Sequence, residues 1–261
     1  MDGAANMALD EALYEGVRDR GGPVLRFYSW SPATLSLGRH QHPDDGLAPG
    51  SRNLPRVRRL TGGGAIWHAD ELTYSLACTQ EDLGTSGVKA SFELLCGFLL
   101  DTWKSLGWDA RFAKDLPGAP VLGQFSPACF AGKEEYDILV DGKKLGGNAQ
   151  RRDRTTIFKH GSVPMLLDWT ALGSLFAPGY QPLAHESTDL NSCGWTEGPQ
   201  ELIPLLVRAF ATRLGAEVHE DVPSPSEVDR AAALVRDRYA NPQWTENGSG
   251  SVRAAGAGAA S

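Results

Sequence analysis

Arg58 and Arg59 stand just ahead of Gly62-Gly63-Gly64, with Thr61 between and His68 on the strand-like segment that follows. Bare backbone beside fixed positive charge suits an anionic or carbonyl-bearing ligand, because glycines let the main chain approach it closely. The triplet fits neither the phosphate-loop pattern nor the dinucleotide fingerprint, and taken alone it is equally a plain turn. Further on, Lys144 precedes Gly146-Gly147-Asn148-Ala149-Gln150. A lysine beside a hairpin turn is ordinarily a solvated edge residue. Here the glycines weaken strand packing and point to a close backbone approach. Cys129 lies in a loop near Lys133, and positive charge lowers a thiol's pKa from about 8.5 toward a reactive thiolate. His160-Gly161-Ser162 is either catalytic or a simple turn, and no Ser-His-Asp arrangement is readable from spacing.

Several elements must hold these residues. A helix capped by Asn6 is expected, with Leu9, Ala12, Leu13 and Val17 on its apolar face and a stop at Gly21-Gly22-Pro23. Val24 to Tyr28 and Thr34 to Leu37 read as two strands joined by a Ser29-Trp30-Ser31-Pro32 turn. Pro43 to Pro55 reads as loop. Ala65 to Trp67 and Leu72 to Ala77 read as strands paired around Ala69-Asp70. A second helix is expected from about Ser91 to Leu106, with Phe92, Leu95, Cys96, Leu99 and Trp103 inward and Gly107 as its stop. Asp141-Gly142 fits a type I′ turn, which makes Tyr136 to Leu145 a hairpin with Leu139 facing Lys144. Cys129 lies ten residues before Leu139, about 33 Å if extended, so its loop must fold back to reach Lys144. Thr155 to Phe158 and Ser162-Val163 supply further strand. Helices are expected over Leu202 to Leu214 and from the Ser224–Glu227 capping box to about Tyr239.

With 261 residues, 41% hydrophobic and 22% charged, the chain is long enough for one large core or two modest ones. The expected division is a catalytic domain over 1–245 and a disordered Gly/Ala/Ser-rich tail over 246–261. A net charge of -7 argues against a general nucleic-acid binder. Six Lys/Arg against two Asp between Asp141 and His160 mark a local site instead. The four cysteines show neither a C-x-x-C pair nor zinc spacing. Cys78 and Cys96 fall on apolar faces, and Cys193 in a polar loop. Without a signal peptide or an apolar run of about 18 residues, the expected protein is cytoplasmic with reduced thiols. The class is α/β, with a mixed, largely antiparallel sheet flanked by helices.

Three blocks in order carry a family resemblance: Arg58-Arg59-x-Thr61-Gly62-Gly63-Gly64-Ala65-x-x-His68, Asp141-Gly142-Lys143-Lys144-x-Gly146-Gly147-x-Ala149-Gln150, and His160-Gly161-Ser162. With the Asn6–Leu13, Leu25–Trp30 and Arg236–Ala240 segments, the chain resembles the lipoate–protein ligase/octanoyltransferase family, which shares the biotin/lipoate ligase fold. Ser126-Pro127-Ala128-Cys129-Phe130 is similar to the nucleophile loop of its cysteine-dependent LipM type. Two features depart from the transferase pattern: the third glycine, which is closer to ligases, and Ala131-Gly132-Lys133-Glu134-Glu135 after the cysteine.

The resemblance also implies an N-terminal strand ahead of the first helix, so either the start is misassigned or the sheet lacks an edge; it further implies no accessory domain of the kind many ligases use after the Tyr239 region. It implies transfer of an octanoyl group from acyl carrier protein, through a Cys129 thioester, to a lysine of a lipoyl-acceptor domain such as the glycine-cleavage H protein. Lys144 would stabilise the oxyanion, with Arg58, Thr61, Gly62, Gly63, Gly64, His68, Gly147, Ala149 and His160 binding the substrate. The implied enzyme is a monomer needing no cofactor or metal and meeting neither nucleic acid nor membrane. The alternatives are a ligase using ATP and Mg, and a non-catalytic lipoyl-binding protein.

Overall fold

The computed structural model describes residues 1–84, 87–116, 128 and 134–248. In chain order the elements are α1 (Gly3–Arg20), β1 (Val24–Tyr28), β2 (Thr34–Leu37), β3 (Arg56–Arg58), β4 (Ile66–His68), β5 (Glu71–Thr79), α2 (Val88–Ser105), β6 (Ala110–Phe112), β7 (Ile138–Val140) and β8 (Lys143–Leu145). They continue with β9 (Gly147–Arg152), β10 (Thr156–Pro164), α3 (Trp169–Leu175), β11 (Ser187–Thr188), α4 (Pro199–Leu214), α5 (Pro225–Leu234), a π-helical turn over Val235–Tyr239, and α6 (Pro242–Asn247). Short 3-10 helices over Pro49–Asn53 and Ala113–Asp115 interrupt what reads as loop.

Among the described residues the strands form three sheets, with orders β1-β5-β10-β9, β11-β8-β7-β6 and β3-β2-β4. Pairing is antiparallel except for β2 with β3 and β8 with β11. The expected mixed, largely antiparallel α/β architecture holds. β5 is its spine, buried along nearly its whole length. Because successive side chains alternate faces, Leu72, Tyr74, Leu76 and Cys78 pack toward α2 with Leu95, Phe98 and Leu99. Ala77 points the other way, joining Tyr14 and Val17 of α1 and Phe158. Its sequence alternates, with Glu71, Thr73 and Ser75 on the face opposite Leu72, Tyr74 and Leu76, yet both faces are buried.

Several local expectations need correction. The cap of α1 is Asp2, whose carboxylate accepts from the Ala5 amide at 2.8 Å. Asn6 is instead buried inside the helix, donating to the Ser29 carbonyl and accepting from Arg26. Asp10 is buried likewise, taking hydrogen bonds from Arg26, Tyr28 and Ser75. β1 and β2 do not pair with each other: β1 joins β5, whereas β2 lies between β3 and β4. β4 and β5 also part company, because the chain crosses from one sheet to another at Ala69-Asp70. Two short apolar runs separated by a turn signal are compatible with a hairpin or a sheet change, and tertiary packing decides.

The 141–142 hairpin forms in the expected register, Leu139 opposite Lys144, with Asp141 and Gly142 at φ 49° and 76°. Both central residues then have the positive φ of a type I′ turn. The Ser224–Glu227 capping box is present. Glu246 and Asn247, placed by sequence in the tail, are part of α6; the tail from 249 lies outside the described residues.

Candidate functional site

The Gly62–Gly64 run leaves β3 and returns as β4, and Arg59 determines its path. The Arg59 guanidinium is buried; it donates to the Gly62 and Gly64 carbonyls at 2.8 and 2.7 Å and to the Ser36 carbonyl at 3.1 Å. Gly63 adopts φ 90°, a conformation open to glycine. Its carbonyl packs onto Gly38, where a Cβ would lie 1.9 Å from the oxygen. Glycines on both sides of this contact are therefore required by sterics.

Arg58 goes elsewhere. Its guanidinium donates to the carbonyls of Gly38, Gln41 and Thr245 at 2.6, 2.7 and 2.7 Å. It is fixed to α6 and does not line the cavity beside the glycine run. Thr61 is also set back, its hydroxyl hydrogen-bonded to His160 Nε2 at 2.6 Å. That bond ties the glycine segment to β10. Burial pushes the His160 imidazole well below its usual range, and the charges of Arg59, His68 and Lys159 push the same way.

His68 lies flat on Trp30, with ring centroids 4.0 Å apart. Its Nε2 meets the Ser36 hydroxyl and its Nδ1 the Glu71 carboxylate, both at 2.7 Å. Burial alone would raise the Glu71 pKa; His68 and the hydroxyls of Ser162 and Thr73 outweigh it and hold the carboxylate below its usual range. The chain Glu71–His68–Ser36–Arg59–glycine loop is thus continuous through hydrogen bonds.

On the other side stands Lys144. Its Nζ is 2.6 Å from Asp137 Oδ2, and both side chains are buried. Asp137 also accepts from the Glu134 amide at 2.7 Å. Burial raises the Glu134 carboxyl's pKa, with the Asp137 charge adding and Lys144 opposing. The turn at Asp141-Gly142 and strict alternation put Lys144 inward and leave Lys143 exposed. The close backbone approach expected at the following glycines is intramolecular: a Cβ on Gly146 would lie 2.2 Å from the Ser162 carbonyl oxygen of β10.

Both halves share a cavity of about 230 Å³. Of the residues expected here, Gly62, Gly63, Gly64, His68, Lys144, Gly147, Ala149 and His160 line it. Asp137, Phe92 and Asn148 line it too and were not foreseen as site residues, and of the two arginines of the motif it is Arg59 that lines it. Arg59 sat in the motif beside the residue singled out, Phe92 read as helix core, and Asp137 carried no motif. Cys129 lies outside the described residues. Ala128, which precedes it in sequence, is buried and bridged in parallel to Ala65, the residue after Gly64. A dry cavity of ~150 Å³ holds benzene, so this volume suits a short acyl chain, and the Lys144 ammonium can donate to a carbonyl oxygen at its edge. Cys78 and Cys96 are buried. Burial pushes the Cys78 thiol up to about 12 and raises Cys96 as well. Neither is a poised nucleophile. Cys193 is half-buried, with its pKa raised chiefly by burial.

Residues 2–211 match the lipoyl protein ligase A/B catalytic domain. The chain is 40% identical to an octanoyltransferase LipM of Kyrpidia tusciae over 92% of this chain and 93% of that protein. It is 32% identical to an octanoyltransferase LipM of Brevibacillus brevis over 94% of this chain and 95% of that protein. Among solved structures, the bipartite lipoate protein ligase of Thermoplasma acidophilum superposes with a TM-score of 0.71 at 20% identity, covering 93% of this chain and 91% of that one. That likeness concerns the fold, which is the biotin/lipoate ligase-like one expected from sequence.

Proposed function

Because the chain belongs to the lipoyl protein ligase A/B catalytic domain family, we propose that it is an octanoyltransferase of protein lipoylation, taking octanoyl groups from acyl carrier protein. The observation that carries this reading is the buried Lys144–Asp137 ion pair, set in one cavity with the Arg59-held glycine run. The Cys129 thiolate attacks the thioester carbonyl carbon, and the carbonyl oxygen gathers negative charge next to the Lys144 ammonium. Expulsion and protonation of the carrier thiol leave an S-octanoyl enzyme. The amine of a lysine on a lipoyl-acceptor domain then attacks the same carbon. The amide forms, the amine loses a proton, and the Cys129 thiolate departs. In both steps Lys144 stabilises the oxyanion, worth about 3–4 kcal/mol of barrier for a well-placed donor. Asp137, 2.6 Å from its Nζ, holds Lys144 in place.

Support for a thiol route comes from the sequence of the Cys129 loop, the position of Ala128 beside Ala65, and the similarity to proteins named octanoyltransferases. Incubation with octanoyl-acyl carrier protein without ATP is expected to add one octanoyl mass at Cys129, and Cys129→Ala is expected to abolish both adduct and transfer. Full transfer by Cys129→Ala would overturn the mechanism. ATP-dependent attachment of free lipoate, unaffected by that substitution, would make the protein a ligase. Binding of acyl chains with no turnover under either condition would make it a non-catalytic lipoyl-binding protein.

A further inference from the structure

Lys159 has no part in the transfer chemistry above, yet it is fully buried on β10. It lies across from Gln150 of β9, on the sheet face covered by α2. Among the described residues, its Nζ has no hydrogen-bonding partner apart from the Cys96 thiol beside it. Burial lowers its pKa, and Cys96 and Asp137 counteract this. An apolar side chain of similar length would fill the place without desolvating an ammonium. What the ammonium does contact is the ring of Phe92, whose centroid is 3.7 Å from Nζ. At that distance a buried cation grips an aromatic face electrostatically.

Phe92 is the one phenylalanine, tyrosine or tryptophan ring lining the cavity among the described residues. It is also packed against Tyr136, with centroids 5.6 Å apart and planes inclined by 32°. The ring is thus held from two directions, by Tyr136 and by Lys159. Cys96 stands one helical turn beyond Phe92 on α2, so the helix presents both to Lys159.

We infer that Lys159 holds the Phe92 ring as the wall that limits the acyl cavity, and thereby sets the length of acyl chain the protein accepts. The inference rests on the acyl-transfer reading. Lys159 is a positioning residue, acting through Phe92.

The test is direct binding of hexanoate, octanoate and decanoate to the full chain by calorimetry, for the native protein and for Lys159→Met, Phe92→Ala and the double variant. Native protein is expected to prefer octanoate. Phe92→Ala is expected to raise the decanoate-to-octanoate affinity ratio about tenfold, the value of two further buried methylenes. Lys159→Met should move the ratio the same way by about threefold, and the double variant should match Phe92→Ala, since the two act in series. An unchanged ratio in a folded Lys159→Met overturns the inference. Should Lys159→Met fail to fold, Phe92→Trp replaces it, with preference expected to shift toward hexanoate; an unchanged order in both Phe92 variants overturns the inference as well. Native protein that binds none of these chains would sink the acyl reading itself, a distinct result.

Discussion

At the scale of single residues, the Lys144–Asp137 pair concentrates the chemistry. A buried ion pair is a poor source of stability, but removing one partner strands the other charge and costs about 3–5 kcal/mol. Asp137→Asn is therefore expected to lower the unfolding free energy by that order and to cut kcat with it. Lys144→Met combined with Asp137→Leu should recover most of the stability in denaturant titrations while transfer stays at least ~100-fold down. Recovered transfer in that double variant would remove Lys144 from the mechanism. Glu71→Gln belongs to the same scale. It weakens the link to His68 and so the hydrogen-bonded chain that ends on Arg59 and the glycine carbonyls. The expected result is a loss of kcat with little change in acyl binding, measured by comparing turnover with octanoate affinity.

At the scale of elements, the α5 start and its partner Arg20 form a testable unit. Arg20 donates to both Glu227 carboxylate oxygens, and the Ser224 amide and hydroxyl add to them. The Arg20 hydrogen bonds, outweighing burial, lower the Glu227 pKa to about 2. A depressed folded-state pKa means stability that is complete above the unfolded value, about 4.3, and is lost as pH falls through the folded one. Glu227→Gln should thus cost on the order of 2–3 kcal/mol at neutral pH and flatten the stability curve between about pH 4.5 and 2, read from melts across that window. Ser224→Ala should cost about 1 kcal/mol.

The hairpin makes a different prediction. Lys143 and Lys144 are chemically identical, and only the Asp141-Gly142 turn decides which enters the cavity. Replacing that turn with a three-residue loop is expected to shift the register and expose Lys144, abolishing transfer while the fold's far-ultraviolet signature persists. This hairpin, the capping box and the helix stops at Gly21 and Gly215 were legible in sequence because each is a local rule. Partners across sheets were not. β4 and β5 look like a hairpin by any local measure, yet β4 pairs with β2 and β5 with β1 and β10. The site was legible where glycine or lysine carried a motif. Arg58 and Arg59 are equivalent by type, and their opposite destinations are set by strand alternation plus the presence of α6, some 186 residues away.

At the scale of the whole molecule, the described elements share a core running from β5 through α2 to the second sheet and α4. A second cluster joins α1 and α6 through Met7, Tyr28, Val57, Tyr239 and Trp244. α6 is short, yet the Trp244 indole donates to the Arg58 carbonyl at 2.9 Å, and its own carbonyl lies 3.1 Å from the Arg58 guanidinium. A chain ending at Ala240 is expected to lose several kcal/mol relative to one ending at Gly248, since Arg58 would keep its charge but lose its Thr245 acceptor. Thermal melts of the two chains check this.

No described helix is long and apolar enough to cross a membrane. The Arg58 contact also has a meaning during biosynthesis. Residue 58 leaves the ribosome long before residue 245, at about 5–20 residues per second. For that interval the strand leading into the glycine run lacks its anchor. A nascent chain released early is expected to be open to proteolysis around β3 and unable to retain an acyl ligand. Competence would then arrive only once α6 has emerged, so an incomplete polypeptide sequesters no acyl ligand.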